Sequence, residues 1–379
     1  MNQQLSAISP KQVYKRILMT ADTIGGVWNY AIELADGLGR SGILVALATM
    51  GAPLTRSQRN AASQLDNLLV FESNFRLEWM QDPWSEVDRA GGWLLALEQQ
   101  IQPDIVHLNG YSHGALPWRA PVLIVAHSCV LSWWEAVKGD KAPSDWNEYR
   151  ARVKAGLECA DAVVAPTRHM LNSLRTHYSW LKPGHVVPNG RDAQQFTPSC
   201  KEPFVLCAGR FWDKAKNLHT IERAASRLRW PVFAAGDGRH PDGGIASSDS
   251  ICMLGQLSNE HMTCWLKHAA IFASPAKYEP FGLAILEAAL SGCALILGDI
   301  PSLREIWADT ACYVPPDDPE AFVAVVDELV SDVRFREKIG LNARQRALEF
   351  SCQRMLDGYA SIYAFLANGA DTLQTGARF

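Results

Sequence analysis

Short apolar runs of strand length alternate with stretches of helical period through the first half of the chain: RILMT, LVALATM, LLVFES, DIVHLNG, VLIVAHS and DAVVAPT. Runs that are apolar throughout, rather than at every second position, suit strands covered on both faces, as in a parallel sheet wrapped by helices. Between the first two, Ala31, Leu34, Ala35 and Leu38 recur at helical spacing from Val27 to Arg40, and Gly39 and Gly42 end that helix. Residues 186–203, VVPNGRDAQQFTPSCKEP, are rich in turn formers and read as a boundary. The alternation then restarts with FVLCAGR, a helix from Leu218 to Leu228, PVFAAGDG, ICMLGQL, a helix from Asn259 to Ala269, IFASPA, a further helix and ALILGD. The pattern predicts an α/β protein with two doubly wound, Rossmann-like parallel-sheet domains facing across a cleft. The first spans 1–188 and the second 189–352; from Pro319 to Asn368 the chain is mostly helical, with no obvious strand partner.

The length of 379 residues agrees with two cores rather than one. With 48% hydrophobic and 20% charged residues and a net charge of -4, the composition is globular and gives no global attraction to nucleic acid. The first thirteen residues lack the apolar core of a signal peptide, and no run of about eighteen apolar residues follows. A cytoplasmic protein is therefore expected. The nine cysteines form no C-x-x-C pair, which favours reduced thiols over a disulfide framework or a zinc ribbon. His107, His113 and His127 belong to different strand patterns without ligand spacing, so neither a metal nor a cofactor is expected.

Ligands of open parallel sheets bind beyond the carboxyl ends of the strands. The inventory there is uneven. After the first strand only Gly25-Gly26 stands where G-x-G-x-x-G would be, and there is no G-K pair for a P-loop and no D-x-D. The segment KYEPFGLAILEAALSG is richer. Pro280 suits the first turn of a helix and Gly292 its end, so a helix is expected from roughly Pro280 to Ser291 with Glu279 at its mouth. Free N–H groups of Phe281, Gly282, Leu283 and Ala284, together with the helix dipole, would form an anion site, and Gly282 would let a ligand approach the backbone. Glu287 lies on the order of 10 Å further along, beyond the roughly 5 Å of a retaining glycosidase pair. The two glutamates read as separate grips on sugar hydroxyls. Arg210 follows the strand FVLCA and Lys216 opens the next helix, so both reach one anion in the cleft, and a diphosphate would be neutralised there without a metal. A solvated helix face and an ordinary basic loop are the plain alternatives.

Taken together, these residues resemble the family 4 retaining glycosyltransferases of the GT-B fold. Its E-x7-E element matches EPFGLAILE, its basic pair matches Arg210 and Lys216 in GRFWDKAKN, and VAHS around His127, VVPNG, AGDG around Asp237 and LGQL at 254–257 follow in the family's order. The resemblance implies that Arg210 and Lys216 hold the donor diphosphate and that Glu287 binds the nucleotide ribose. Glu279 and the amides of Phe281, Gly282 and Leu283 would face the transferred sugar and its phosphates, His127 would sit across the cleft beside that sugar, and Gly25 and Gly26 would approach the phosphates. Asp237, Met253 and Leu254 would line the donor side, and 353–379 would cross back onto the first, acceptor-binding domain. Two features depart from the family: Pro301 and Ser302 precede Glu305 where a glycine turn is usual, and Trp28 is bulky enough to narrow the acceptor side. The implied activity is transfer of a hexose from a UDP-sugar, UDP-glucose first, to a saccharide or lipid-linked saccharide in surface or extracellular polysaccharide assembly. A phosphorylase, a sugar-nucleotide epimerase and a non-catalytic sugar-nucleotide binder are the alternatives. Nine of the thirteen tryptophans, at 28, 79, 84, 93, 118, 133, 134, 146 and 180, fall in the first domain, as acceptor stacking or core packing would require. The basic segment Arg150 to Lys182 has two readings, a solvated helix face or a peripheral contact with an anionic membrane.

Overall fold

The computed structural model of the chain describes residues 14–238 and 248–375. Strands β1 (Arg16–Asp22), β2 (Leu44–Met50), β3 (Leu68–Glu72), β4 (Ile105–Leu108), β5 (Val122–Val125), β6 (Ala162–Ala165) and β7 (His185–Val186) form one sheet in the order β3-β2-β1-β4-β5-β6-β7. Strands β8 (Glu202–Ala208), β9 (Val232–Ala235), β10 (Cys252–Gly255), β11 (Ala269–Ser274), β12 (Ala294–Gly298) and β13 (Cys312–Val314) form a second, ordered β10-β9-β8-β11-β12-β13. Neighbouring strands pair in parallel in both sheets. Each run is apolar throughout because successive side chains enter different cores: Ile17 and Met19 of β1 pack on one face and Leu18 on the other. In β8, Leu206 and Cys207 divide in the same way.

The strand order reverses between β1 and β4 and again between β8 and β11. Loops leaving adjacent strands at such a point turn to opposite faces and leave a crevice, so this topology sets two crevices in the molecule. The chain passes between the domains twice, and the passages touch. Arg191 bridges Ser351, and a Cβ on Gly190 would lie 2.4 Å from the Ser351 carbonyl oxygen, so only glycine fits there. The final helix, Cys352–Thr375, lays Met355, Tyr359, Ile362, Tyr363 and Leu366 into the first-domain core. Its Leu356 approaches Gly37 of the Gly26–Arg40 helix within 3.3 Å of where a Cβ would stand. Trp28 is 4% exposed within that core and therefore does not narrow an acceptor site. Among the described residues, no helix is long and apolar enough to cross a membrane.

Candidate functional site: a cleft between two topological switch points

The helix expected from Pro280 begins at Leu283 and runs to Leu290. Gly282 takes φ 90 and ψ 71, a left-handed conformation that other residues adopt at a cost, so the chain turns there and the helix starts one residue later. The first ladder bond runs from Leu286 N to Gly282 O at 3.0 Å, which leaves the N–H groups of Leu283, Ala284 and Ile285 at the open end. Phe281, expected to line the anion site with its amide, buries its ring at 3% exposure against Phe350.

Five of the anticipated residues converge at this helix start. Lys216 Nζ lies 2.5 Å from Glu279 Oε2, with the two side chains 18% and 15% exposed. The lysine leaves a single helical turn, Lys214–Lys216, capped by Asp213, whose Oδ1 accepts from Ala215 N at 2.9 Å. Arg210 Nη1 donates to the carbonyl of Ile24 at 3.1 Å, reaching from the second domain to the glycine loop of the first. A Cβ on Gly25 would lie 2.9 Å from that nitrogen, the movable tip of a long side chain, and it is the φ of 117 at Gly25 that favours glycine. A Cβ on Gly26 would stand 3.5 Å from Leu283. Ser302, in the stretch that departs from the family pattern, donates from Oγ to the Glu279 carbonyl at 2.7 Å and steadies the turn.

Glu287 is held differently. Arg191 donates to its Oε1 through Nε at 2.8 Å and again through Nη2, and reaches Glu33 Oε2 through Nη1 at 2.7 Å. Burial alone would make Arg191 easier to deprotonate; Glu287 and Glu33 outweigh that and hold it firmly charged. The turn-rich boundary concealed this arginine. The available signal was Glu287 itself, since a glutamate among alanines and leucines needs a cation. Met253 and Leu254 lie on β10, two strands out from β8, and Asp237 follows β9 with its carbonyl accepting from Phe211 N at 2.9 Å.

Across the cleft, half-buried His127 follows β5, with Nε2 2.8 Å from Asn109 Oδ1 and the Tyr30 ring 4.5 Å away. Burial pushes its imidazole down to about 3, and the same cause takes the fully buried His107 to about 3. Asp22, at the end of β1, moves the other way, up to about 6, because burial outweighs the Ile24 amide, Arg210 and Trp79 Nε1. These shifts predict a pH dependence of stability. Between 6.5 and about 3 the unfolded chain binds more protons at both histidines than the folded chain does, so each destabilises the fold as pH falls, by about 1.4 kcal/mol per pH unit. Asp22 opposes them between about 6 and 3.8, where the folded chain holds the extra proton. Replacing His107 with Gln is expected to lower the acid slope of urea-derived stability by about 1.4 kcal/mol per pH unit; an unchanged slope would mean the ring is already protonated in the fold.

Further bonds hold the domains together around the cleft. Cys129 N donates to Tyr278 Oη at 2.9 Å, Trp133 Nε1 to Asp213 Oδ1 at 2.8 Å, and Thr167 Oγ1 to the Pro280 carbonyl at 3.1 Å. Glu305 accepts from the Arg168 and His169 amides at 2.7 and 2.9 Å, which places it at the start of a first-domain helix. Of the tryptophans, Trp79 reaches the cleft, stacked on Trp212 of the second domain at 6.2 Å and 20°, while Trp84, Trp93, Trp118, Trp146 and Trp180 pack on first-domain cores. In the basic segment Arg152 pairs with Asp88 at 2.5 Å and Glu148 at 2.9 Å and Lys154 with Glu158 at 3.7 Å. His113 bonds the Val87 carbonyl at 2.9 Å, and among the described residues no group of three or more His, Cys, Asp and Glu is arranged to hold a metal.

Comparison with known proteins agrees with this architecture. The family model described as Glycosyltransferase Family 4 matches residues 24–195, and that described as Glycosyl transferases group 1 matches residues 202–332. The O-antigen chain mannosyltransferase C of Escherichia coli is 24% identical over 372 residues, covering 91% of this chain and 95% of that one. Among solved structures, sucrose-phosphate synthase from Thermosynechococcus elongatus superposes with a TM-score of 0.79 at 19% identity, over 94% of this chain and 100% of that one. Alr3699/HepE of Anabaena, in complex with UDP and glucose, does so with a TM-score of 0.71 at 13% identity, over 93% and 100%. With one family model on each domain and the same two-sheet fold in its neighbours, the chain belongs to the family 4 glycosyltransferases of the GT-B fold.

Proposed function

We propose that the chain is a metal-independent, retaining hexosyltransferase that moves a sugar from a nucleoside diphosphate onto a hydroxyl of a saccharide or lipid-linked saccharide, in surface or extracellular polysaccharide assembly. One observation carries the reading: Arg210, Lys216, Glu279 and the open end of the Leu283–Leu290 helix converge on the glycine loop of the other domain. Two cations and a helix terminus suit the charge that develops on a departing diphosphate. Glu287 Oε1 is taken by Arg191, so Oε2 is the oxygen left to grip a ribose hydroxyl. In this reading the acceptor hydroxyl attacks from the face the diphosphate leaves, and a phosphate oxygen takes its proton. The reaction forms one glycosidic C–O bond as it breaks the sugar–phosphate C–O bond. Glu279 is the carboxylate that a covalent route would use.

UDP-glucose is the first donor to try, because a structural neighbour was solved with UDP and glucose. A mannosyl donor is the second reading, supported by the O-antigen mannosyltransferase that matches nearly end to end. A thermal-shift screen of UDP, GDP and ADP sugars separates them, since a ligand at about a hundred times its dissociation constant adds about 2.7 kcal/mol to folding. Stabilisation by one donor class, followed by an acceptor-dependent product that keeps the anomeric configuration in proton NMR, is the expected outcome. An inverted product contradicts the mechanism, and donor cleavage that consumes inorganic phosphate points to a phosphorylase.

A further inference from the structure

A chain of hydrogen bonds behind His127 runs from the cleft to the C-terminal helix, and its cleft end fixes which nitrogen of His127 carries the proton. Asn109 follows β4 at the switch point, and its own amide N–H donates to Thr20 Oγ1 at 2.9 Å. Its side-chain Nδ2 donates to the Thr20 carbonyl at 2.7 Å. A backbone carbonyl only accepts, so the NH2 end of the amide must face Thr20 and Oδ1 must face the histidines. His127 Nε2 lies 2.8 Å from Oδ1 and His107 Nε2 lies 3.3 Å from it. An amide oxygen also only accepts, so the closer ring, His127, carries its proton on Nε2, whereas His107 Nε2 also faces Tyr30 Oη at 3.3 Å, a hydroxyl that can donate or accept. On its far side His107 Nδ1 lies 2.6 Å from Tyr363 Oη of the C-terminal helix, which ties the chain to that helix. With its proton on Nε2, His127 Nδ1 is left as a lone pair.

We propose that Asn109 is a positioning residue that holds His127 as the Nε2–H tautomer, so that Nδ1 accepts a hydrogen bond from a hydroxyl of the transferred hexose. His127 then acts as a fixed acceptor for the donor sugar and not as an acid. The functional half of this inference rests on the donor-cleft reading above; the tautomer rests on the bond pattern alone.

The test uses the full-length chain labelled with 15N-histidine, together with steady-state kinetics against the donor that the thermal-shift screen selects. In the wild type, the His127 ring is expected to show a protonated Nε2 and an unprotonated Nδ1 at neutral pH. Asn109→Leu removes the acceptor and is expected to lose that bias and to raise the donor KM by about fivefold to tenfold with kcat little changed. Asn109→Asp keeps an acceptor oxygen toward His127 but loses the donor to the Thr20 carbonyl, so a proton retained on Nε2 in that variant separates loss of the acceptor from loss of packing. A wild-type ring protonated on Nδ1, or Nε2–H signals unchanged in Asn109→Leu, overturns the tautomer. An altered tautomer with unaltered donor KM overturns the contact with the hexose. Failure of the donor reading looks different: no nucleotide sugar stabilises the wild type although its His127 spectrum is as expected, and the hexose contact falls with it.

Discussion

Lys216→Ala is expected to cut turnover about a hundredfold or more at saturating donor and acceptor, the loss typical of removing one donor aimed at developing transition-state charge. In the free protein Lys216 Nζ is neutralised by Glu279 at 2.5 Å, in a pair that still meets solvent. A diphosphate entering the cleft brings more charge than one carboxylate and competes for the same ammonium, whose pull grows as the sugar–phosphate bond lengthens. Stability depends on the residue far less. The pair sits at 18% and 15% exposure, and its loss is expected to cost about 1 kcal/mol, near the upper end for pairs that water reaches. Single-turnover kinetics beside a urea titration separate the two effects. Near wild-type turnover would remove Lys216 from the mechanism, and a stability loss as large as the kinetic one would make it a structural lysine.

The largest expected effect on stability lies at the domain boundary. Arg191→Met is expected to destabilise the fold by about 3–5 kcal/mol, because it leaves Glu287 and Glu33 buried without their cation. The three side chains are only 10% to 11% exposed, and Arg191 satisfies both carboxylates at once. Cys352 Sγ donates to Glu33 Oε1 at 2.6 Å, so the cluster also reaches the second passage between the domains. Neutralising the acids together, as Arg191→Met with Glu33→Gln and Glu287→Gln, is expected to recover a good part of the loss, since the uncompensated charge and not the missing contact dominates it. Urea midpoints of the single and triple variants check this. A single variant within about 1 kcal/mol of wild type would mean that water screens the cluster.

The two parallel-sheet domains and the cleft between them were legible because the deciding features are local. Leu18 lies between Ile17 and Met19 in a run apolar at every position, which is the mark of a strand covered on both faces. Lys216, Arg210 and Glu279 were legible because a charge just beyond a parallel strand has few places to go other than the crevice. The start of the Leu283–Leu290 helix was misjudged by three residues, since Pro280 and Gly282 both suit a boundary and the choice depends on the left-handed turn at Gly282. Trp28 read as a cleft residue by its neighbourhood, yet the helical phase that buries Ala31 and Ala35 buries it as well. Asn109, Arg191 and Tyr363 stayed hidden for a different reason. Their partners Thr20, Glu287 and His107 are far away in sequence, and periodicity carries no record of which distant chain returns to a site.

The central claim is that a diphosphate binds between Arg210, Lys216 and the open end of the Leu283–Leu290 helix. A crystal structure of the chain soaked with the nucleoside diphosphate that stabilises it most tests this directly. The account predicts phosphate oxygens within hydrogen-bond distance of Lys216 Nζ, the Arg210 guanidinium and the Leu283 or Ala284 amide, with the ribose toward Glu287. Phosphates bound elsewhere, with Lys216 still paired to Glu279 and the helix end unoccupied, would contradict it.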